Sequence, residues 1–315
     1  MKKNQETTSR RKAVDVGEYI SKGLFHALQK TYHTAFPNTI ASFRISKTLI
    51  LNVLNSSTKV SGIRFMYGLS DVLNPNSIRV FLIPCINEKE YSLNSKPLLV
   101  EKGYYDQEGN VFSLPEMAQM MADYVKYVHQ QDETLNYKTI TRGNFFGRNS
   151  LENFMSAETC VSISYHLGLR KNIIAPIIEP LDRQGYAYAD VYMDFTRPCP
   201  PVCKGHDGSE HCMATTAVEQ FSEEAELDFY RAFRDTYLLD QEGGAMLYEM
   251  YYFISPLVNM LMLKKADDEV IYHNLYFNKI LPFKALLEQK NYQAATYLLQ
   301  EVLEELTNKY TTELI

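Results

Sequence analysis

The sequence predicts an α+β chain in which a duplicated helix-plus-β-hairpin N-terminal domain is followed by an all-helical C-terminal module. Three observations carry this. Runs rich in β-branched and aromatic residues, bounded by turn residues, fill the N-terminal part. Residues 51–69 realign without gaps on 151–169 at a shift of one hundred, matching Leu51 to Leu151, Ser56 to Ser156, Ile63 to Ile163, Gly68 to Gly168 and Leu69 to Leu169, with Phe65 on Tyr165. From Thr215 onward the apolar residues change to helical spacing.

Taken in order, residues 1–12 form a basic polar tail. Val16, Ile20, Leu24, Leu28 and Tyr32 recur every fourth residue, which predicts a helix over Val14–His33 that Pro37 stops. A second helix is expected over about Ile40–Leu54. Val60–Tyr67 before Gly68, and Ile78–Ile83, read as strands. Leu98–Tyr105 and Asn110–Phe112 flank the turn Asp106–Gly109, where glycine supplies a positive φ. Ser113 then caps a helix with Pro115 and Glu116 in its first turn, running to about His129. After the second copy come the apolar run Ile173–Ile178, the turn Asp182–Gly185 and a tyrosine-rich strand, Tyr186–Phe195. The reading is a mixed α/β domain over 13–196 with two diverged repeats, about 40–130 and 145–196. A connector follows over 197–214 and a helical module over 215–315.

Within that last part Leu227, Tyr230, Phe233 and Tyr237 share a face and Gly243–Gly244 breaks the run. Ser255–Pro256 reads as an N-cap and first helical position, and a final helix is expected over about Phe283–Tyr310.

Composition narrows the function classes. Thirty-two Lys and Arg against 38 Asp and Glu give a net charge of −6, the opposite of the field that binds phosphate backbones, so nucleic acid is not an expected partner. Lys2, Lys3, Arg10, Arg11 and Lys12 are a local exception, read as a solvated terminus. No apolar core follows them, so a cytoplasmic location is expected. The longest apolar stretch, Phe253–Leu263, is interrupted by Ser255, Pro256 and Asn259, and no membrane span is expected. Five cysteines without an export signal read as reduced thiols.

The connector holds the densest chemistry. Cys199, Cys203, His206, His211 and Cys212 lie within fourteen residues of a Pro- and Gly-rich tract. Zinc takes four such soft or borderline ligands in a tetrahedron, and Cys199, Cys203, His206 with one of His211 or Cys212 would complete a structural site. Neighbouring residues point apart, which leaves one of the last pair out. Two other readings stay open: a loop without metal, and thiol chemistry in which Cys212, ahead of a helix N-terminus, is a nucleophile with His166 or His206 as base.

The segment after the connector reads Cys212-Met-Ala-Thr-Thr216-Ala217, then Tyr230-Arg-Ala-Phe-Arg-Asp235-Thr-Tyr-Leu-Leu239, Gly244 and Tyr251-Tyr-Phe-Ile-Ser-Pro256. Over about 212–263 this resembles the CFI-box domain, a bacterial C-terminal module named for a Cys-Phe-Ile-Ala-Thr-Ala-Ala-Tyr-Gly signature. Cys212, Thr216 and Ala217 are kept here, while the Phe-Ile pair and the closing Tyr-Gly are not. The N-terminal half resembles uncharacterised Bacteroidetes proteins that carry Ile-Arg-Phe-x-Tyr-Gly and Asp-x-x-Gly units followed by Cys-Pro-x-x-Cys. Neither resemblance implies a reaction.

Elsewhere the residues favour structure over chemistry. Glu223, Glu224 and Glu226 read as first-turn acids, and Asp228–Arg231 and Arg231–Asp235 as helix surface pairs. Tyr248, Tyr251 and Tyr252 read as the core and rim of helical packing. The Gly-rich phosphate loop, the His-Glu-x-x-His helix and the Gly-x-Ser-x-Gly elbow are all missing. The expected function is therefore a non-enzymatic interaction or scaffold protein, contacting a protein partner or another copy, with a connector suited to structural zinc. The alternative is a Cys-dependent enzyme centred on Cys212, and a small-molecule binding domain built on the tyrosine-rich sheet is the third.

Overall fold

The structure, a computed structural model, describes residues 12–311 except 38, 88–95, 132, 134, 136, 138–139, 171–172, 188–189, 195–196, 199–211 and 223. It is an α+β fold of two antiparallel sheets and a helical layer. The first sheet runs β1 (Glu18–Ile20), β11 (Tyr192–Asp194), β10 (Ile173–Leu181), β9 (Ser162–Arg170), β2 (Ser42–Ser46). The second runs β12 (Arg197–Pro198), β8 (Gly143–Gly147), β3 (Val60–Leu69), β4 (Ile78–Ile86), β6 (Tyr104–Asp106), β7 (Val111–Phe112), with β5 (Lys96–Pro97) also on β4.

The strands follow one another in a recurring succession. Helix α1 (Lys22–Ala35), β2, α2 (Lys47–Leu54), β3 and β4 are followed later by α3 (Leu114–Gln131), β8, α4 (Arg148–Phe154), β9 and β10. The short leading strand of each series joins the hairpin of the other, since β2 pairs with β9 and β8 with β3. The helices cross over too, α1 packing on β9 and α3 on β3. Gly68 and Gly168 allow that approach: a Cβ on Gly68 would stand 3.0 Å from Met120 Cβ of α3, and one on Gly168 would stand 3.0 Å from Leu28 Cβ of α1. Between the sheets the Phe65 and Tyr165 rings stack at 5.1 Å, and the Tyr67 and Tyr165 hydroxyls lie 3.0 Å apart and fully buried.

Several sequence expectations need correction. Helix α1 begins at Lys22, where Ser21 Oγ accepts from Leu24 N–H; Val16 precedes it and Ile20 is in β1. Gly17, at a φ of 135°, ends any helix there, and Glu18, Tyr19 and Ile20 pair with Asp194, Met193 and Tyr192. The segment 40–54 is a strand followed by a short helix, because Ser42–Ser46 is claimed by β9. Tyr186–Phe195 contributes only β11 and a bridge from Ala187 to Leu181 among the described residues. The turn at Gly109 and the cap of α3 stand where the sequence puts them: Glu116 Oε2 accepts from Ser113 N–H at 2.8 Å.

Among the described residues six helices make the back layer: α5 (Met213–Phe221), α6 (Glu224–Ala232), α7 (Gly244–Met262), α8 (Asp268–Leu275), α9 (Leu281–Glu288) and α10 (Tyr292–Thr311). Ser255 and Pro256 lie inside α7, not at its start. Proline leaves the Tyr252 carbonyl without its helical donor, and the helix tolerates this because it is walled in: Leu247, Ile254, Leu257 and Val258 are at most 1 % exposed. Ser255 Oγ accepts from Met213 N–H at 3.1 Å, which docks α5 on α7. The last predicted helix is two, α9 and α10, parted at Lys290, whose φ is 56°. Two π-helical turns, Phe233–Tyr237 and Tyr276–Ile280, continue α6 and α8. One buried apolar cluster runs from Ala13 through both sheets and α7 to Tyr310, with α3 and α7 packed directly on each other.

Candidate functional site

Of the predicted site residues, Cys199, Cys203, His206 and His211 lie outside the described residues. Cys212 stands at the N-cap of α5, 3 % exposed and disulfide-bonded. A disulfide sulfur is neither a thiolate ligand nor a nucleophile, so the expectation of reduced thiols does not hold at this position. Cys85 and Cys160 are buried thiols. Among the described residues no group of three or more His, Cys, Asp or Glu side chains could hold a metal ion. Nor does any helix among them have the length and apolarity to cross a membrane. His166 sits in β9 with both ring nitrogens engaged, Nδ1 2.9 Å from Gln29 Nε2 and Nε2 3.3 Å from Glu179 Oε2, and Phe25 edges onto its ring. It has no nitrogen to spare as a base.

Two charged centres were hidden in the sequence. The first joins the sheets to the helices. Arg142, just ahead of β8 and 1 % exposed, donates through Nε to both carboxylate oxygens of Glu249 on α7, at 2.9 and 2.8 Å. Its Nη1 donates to the Tyr137 and Ile140 carbonyls, and the Tyr137 and Tyr248 rings lie 5.2 and 5.9 Å from the guanidinium carbon. Burial pushes Arg142 toward the neutral form, but the charge and hydrogen bonds of Glu249 outweigh it and hold the guanidinium protonated. The sequence did carry a signal: Glu249 is the one charged residue between Glu242 and Lys264.

The second centre is Glu226, expected as a first-turn acid. Its side chain is 7 % exposed and accepts from Ser222 Oγ at 2.7 Å, Tyr230 OH at 2.6 Å, Tyr276 OH at 3.2 Å and Lys284 Nζ at 2.8 Å. It thus ties α6 to the second π turn and to α9. Burial pushes this carboxyl up, yet the hydrogen bonds from Lys284, Tyr230 and Ser222 bring it down from 4.5 to about 2. A carboxyl with a depressed folded-state pKa adds stability above its unfolded value, and that stability drains as pH falls through the folded one. The wild-type urea midpoint is therefore expected to fall between pH 4.5 and pH 2. Glu226→Gln should lose about 1–3 kcal/mol at neutral pH and show a flatter profile across the same window. An unchanged acid limb in the variant would place the titrating groups elsewhere.

The π turns alter which side chains meet nearby. Asp228 pairs with Arg231 at 2.9 Å as expected, but Asp235 pairs with Arg234 at 2.7 Å and not with Arg231. A five-residue hydrogen-bond step turns position 235 away from 231. Both turns contribute walls to a cavity of about 140 Å³ among the back helices, lined by Leu227, Phe233, Leu238, Phe283, Leu299 and Val302.

In the second sheet the β3–β4 hairpin ends in Ser70–Ser77, a tip braced from within. Asp71 Oδ1 accepts from Leu73 N–H at 2.9 Å, Asn74 Oδ1 accepts from Asn76 N–H at 3.0 Å, and Ser77 Oγ accepts from Asp71 N–H at 2.8 Å. Val72 and Leu73 stand out from it, 54 % and 90 % exposed. No family model, no curated protein and no solved structure matches the chain.

Proposed function

We propose that the chain is a non-catalytic interaction protein, a rigid scaffold that engages a protein partner through the tip of the β3–β4 hairpin. The observation that carries this reading is the Val72–Leu73 pair. A lone exposed leucine is ordinary, but two adjacent apolar residues on a loop whose backbone is tied down have little conformational entropy left to lose on docking. Asp71 beside them suits a partner with an apolar socket and a polar rim. The scaffold itself we read as two swapped copies of one helix–strand–helix–strand–strand unit. Supporting this are the crossed pairing of β2 and β8, the equivalent use of Gly68 and Gly168, and the contact of Phe65 with Tyr165, which the shift of one hundred superposes. The helical back we assign as a CFI-box-like module.

Leu73→Asp leaves the core untouched, so the unfolding midpoint should stay within about 0.5 kcal/mol of wild type. A protein bound by the wild-type chain, lost with Leu73→Asp and reconstituted at a fixed ratio from purified components supports the reading. A partner that binds Val72→Asp and Leu73→Asp as tightly as wild type overturns it.

A structural zinc in the connector, on Cys199, Cys203, His206 and one of His211 or Cys212, belongs to this proposal only where its cysteines are reduced, since a ligating sulfur must be a thiolate. Metal analysis of protein purified without reductant is expected to find zinc only if thiol titration leaves enough of the connector's cysteines unoxidised. Zinc in protein whose Cys212 resists alkylation until the metal is chelated would make Cys212 the fourth ligand, and zinc together with an alkylatable Cys212 would make it His211. Against the Cys212 enzyme we weigh the burial and disulfide of Cys212 and the engagement of both His166 ring nitrogens; its other candidate base, His206, lies outside the described residues.

A further inference from the structure

We infer that the cavity among the back helices is a binding site for a small monocarboxylate with a phenyl- or isobutyl-sized apolar body. Its volume of about 140 Å³ matches the cavity of about 150 Å³, lined by Leu, Ile and Phe, that accepts benzene in an engineered protein. The apolar walls leave room for one such group and for no long acyl chain. Every charged residue that lines it is a cation: Arg231, Arg234 and Lys279.

These cations are not equally available. Arg234 is bound at two points to Asp235 and lies over the Tyr252 ring, and Lys279 reaches both Glu301 and Glu305. Arg231 is 46 % exposed on its side chain, and its partner Asp228 is 78 % exposed. An exposed ion pair of that kind contributes little, so Arg231 can exchange a hydrated aspartate for a ligand carboxylate at small cost. An apolar wall with one exchangeable guanidinium at its edge is the arrangement such a ligand requires. The two π turns that supply Phe233 and Ile280 to the wall fit this as well, because π turns recur at functional sites.

The test is calorimetric titration of the whole chain with phenylacetate, 4-methylpentanoate, toluene and benzylamine. The two carboxylates are expected to bind with a Kd on the order of 1 mM or tighter, and benzylamine at least tenfold more weakly. Arg231→Gln, a surface change that leaves the fold intact, should weaken phenylacetate about tenfold and leave toluene unchanged. Leu299→Phe, which fills the volume, should abolish both. If neither carboxylate binds, or if Arg231→Gln binds phenylacetate as wild type does, the assignment is overturned. Leu73→Asp should not affect any of these titrations, which keeps this site separate from the hairpin tip.

Discussion

Replacing Glu249 by alanine is expected to cost about 3–5 kcal/mol of stability, because Arg142 would stay buried with its charge uncompensated. Few single changes in this chain should do more. Arg142 is 1 % exposed and cannot swing into water, and its Nη1 is already committed to two carbonyls in the segment ahead of β8. The damage would fall on the seam between α7 and the sheets, where Tyr137 and Tyr248 close over the pair. Urea unfolding followed by circular dichroism reads the loss directly. The double variant Arg142→Met with Glu249→Leu should recover most of it, since an apolar pair of similar volume removes two desolvation penalties at once. A Glu249→Ala midpoint within about 1 kcal/mol of wild type would mean that water reaches the pair, and the seam would then be far looser than its burial indicates.

Gly147→Ser carries the second large effect, and its sign runs against local propensity. Gly147 is the N-cap of α4, as Ser46 is of α2, where Ser46 Oγ accepts from Leu49 N–H. Serine is the better capping residue, by a few tenths of a kcal/mol over glycine. Yet a Cβ on Gly147 would stand 2.3 Å from the Val14 carbonyl oxygen and 2.5 Å from that of Ala13, backbone atoms that cannot turn aside. Gly147 N–H also donates to the Val16 carbonyl at 2.8 Å. The N-terminal segment is laid across this position, so overpacking of about 1–3 kcal/mol or more should exceed the capping gain. Gly147→Ser is expected to destabilise by about 2 kcal/mol, while Ser46→Gly costs only a few tenths. The two changes measured side by side by urea unfolding test whether residues 13–16 are docked in solution. Equal, small effects would show that they are not.

These two positions also mark how far the sequence can be read. Glu249 stands alone in an apolar stretch, a visible anomaly, but its partner sits 107 positions away and no local pattern points to it. Ser46 and Gly147 look unrelated in sequence and serve the same place in the two successions, differing because only one of them has a chain segment lying over it. Glu226 was legible as an acid in a first turn. That Lys284 and Tyr276 would converge on it depended on α9 and the second π turn folding back.

Features decided within one turn or one hairpin were determined by the residues themselves. The capping box of α3, the glycine turn at 109, the break at Gly243 and Gly244, and the change to helical period after the connector all stand in the structure. Features that depend on a distant neighbour were decided by tertiary structure alone. Glu18–Ile20 is a strand because Tyr192–Asp194 offers it an edge, and Ser42–Ser46 because β9 does. Pro256 stays helical because the packing around α7 outweighs one lost hydrogen bond. The physical reason is common to all three: local propensities differ by about 1 kcal/mol or less per residue, or about 3 kcal/mol for a proline inside a helix, whereas a full set of pairing bonds or a buried helix face supplies more than that.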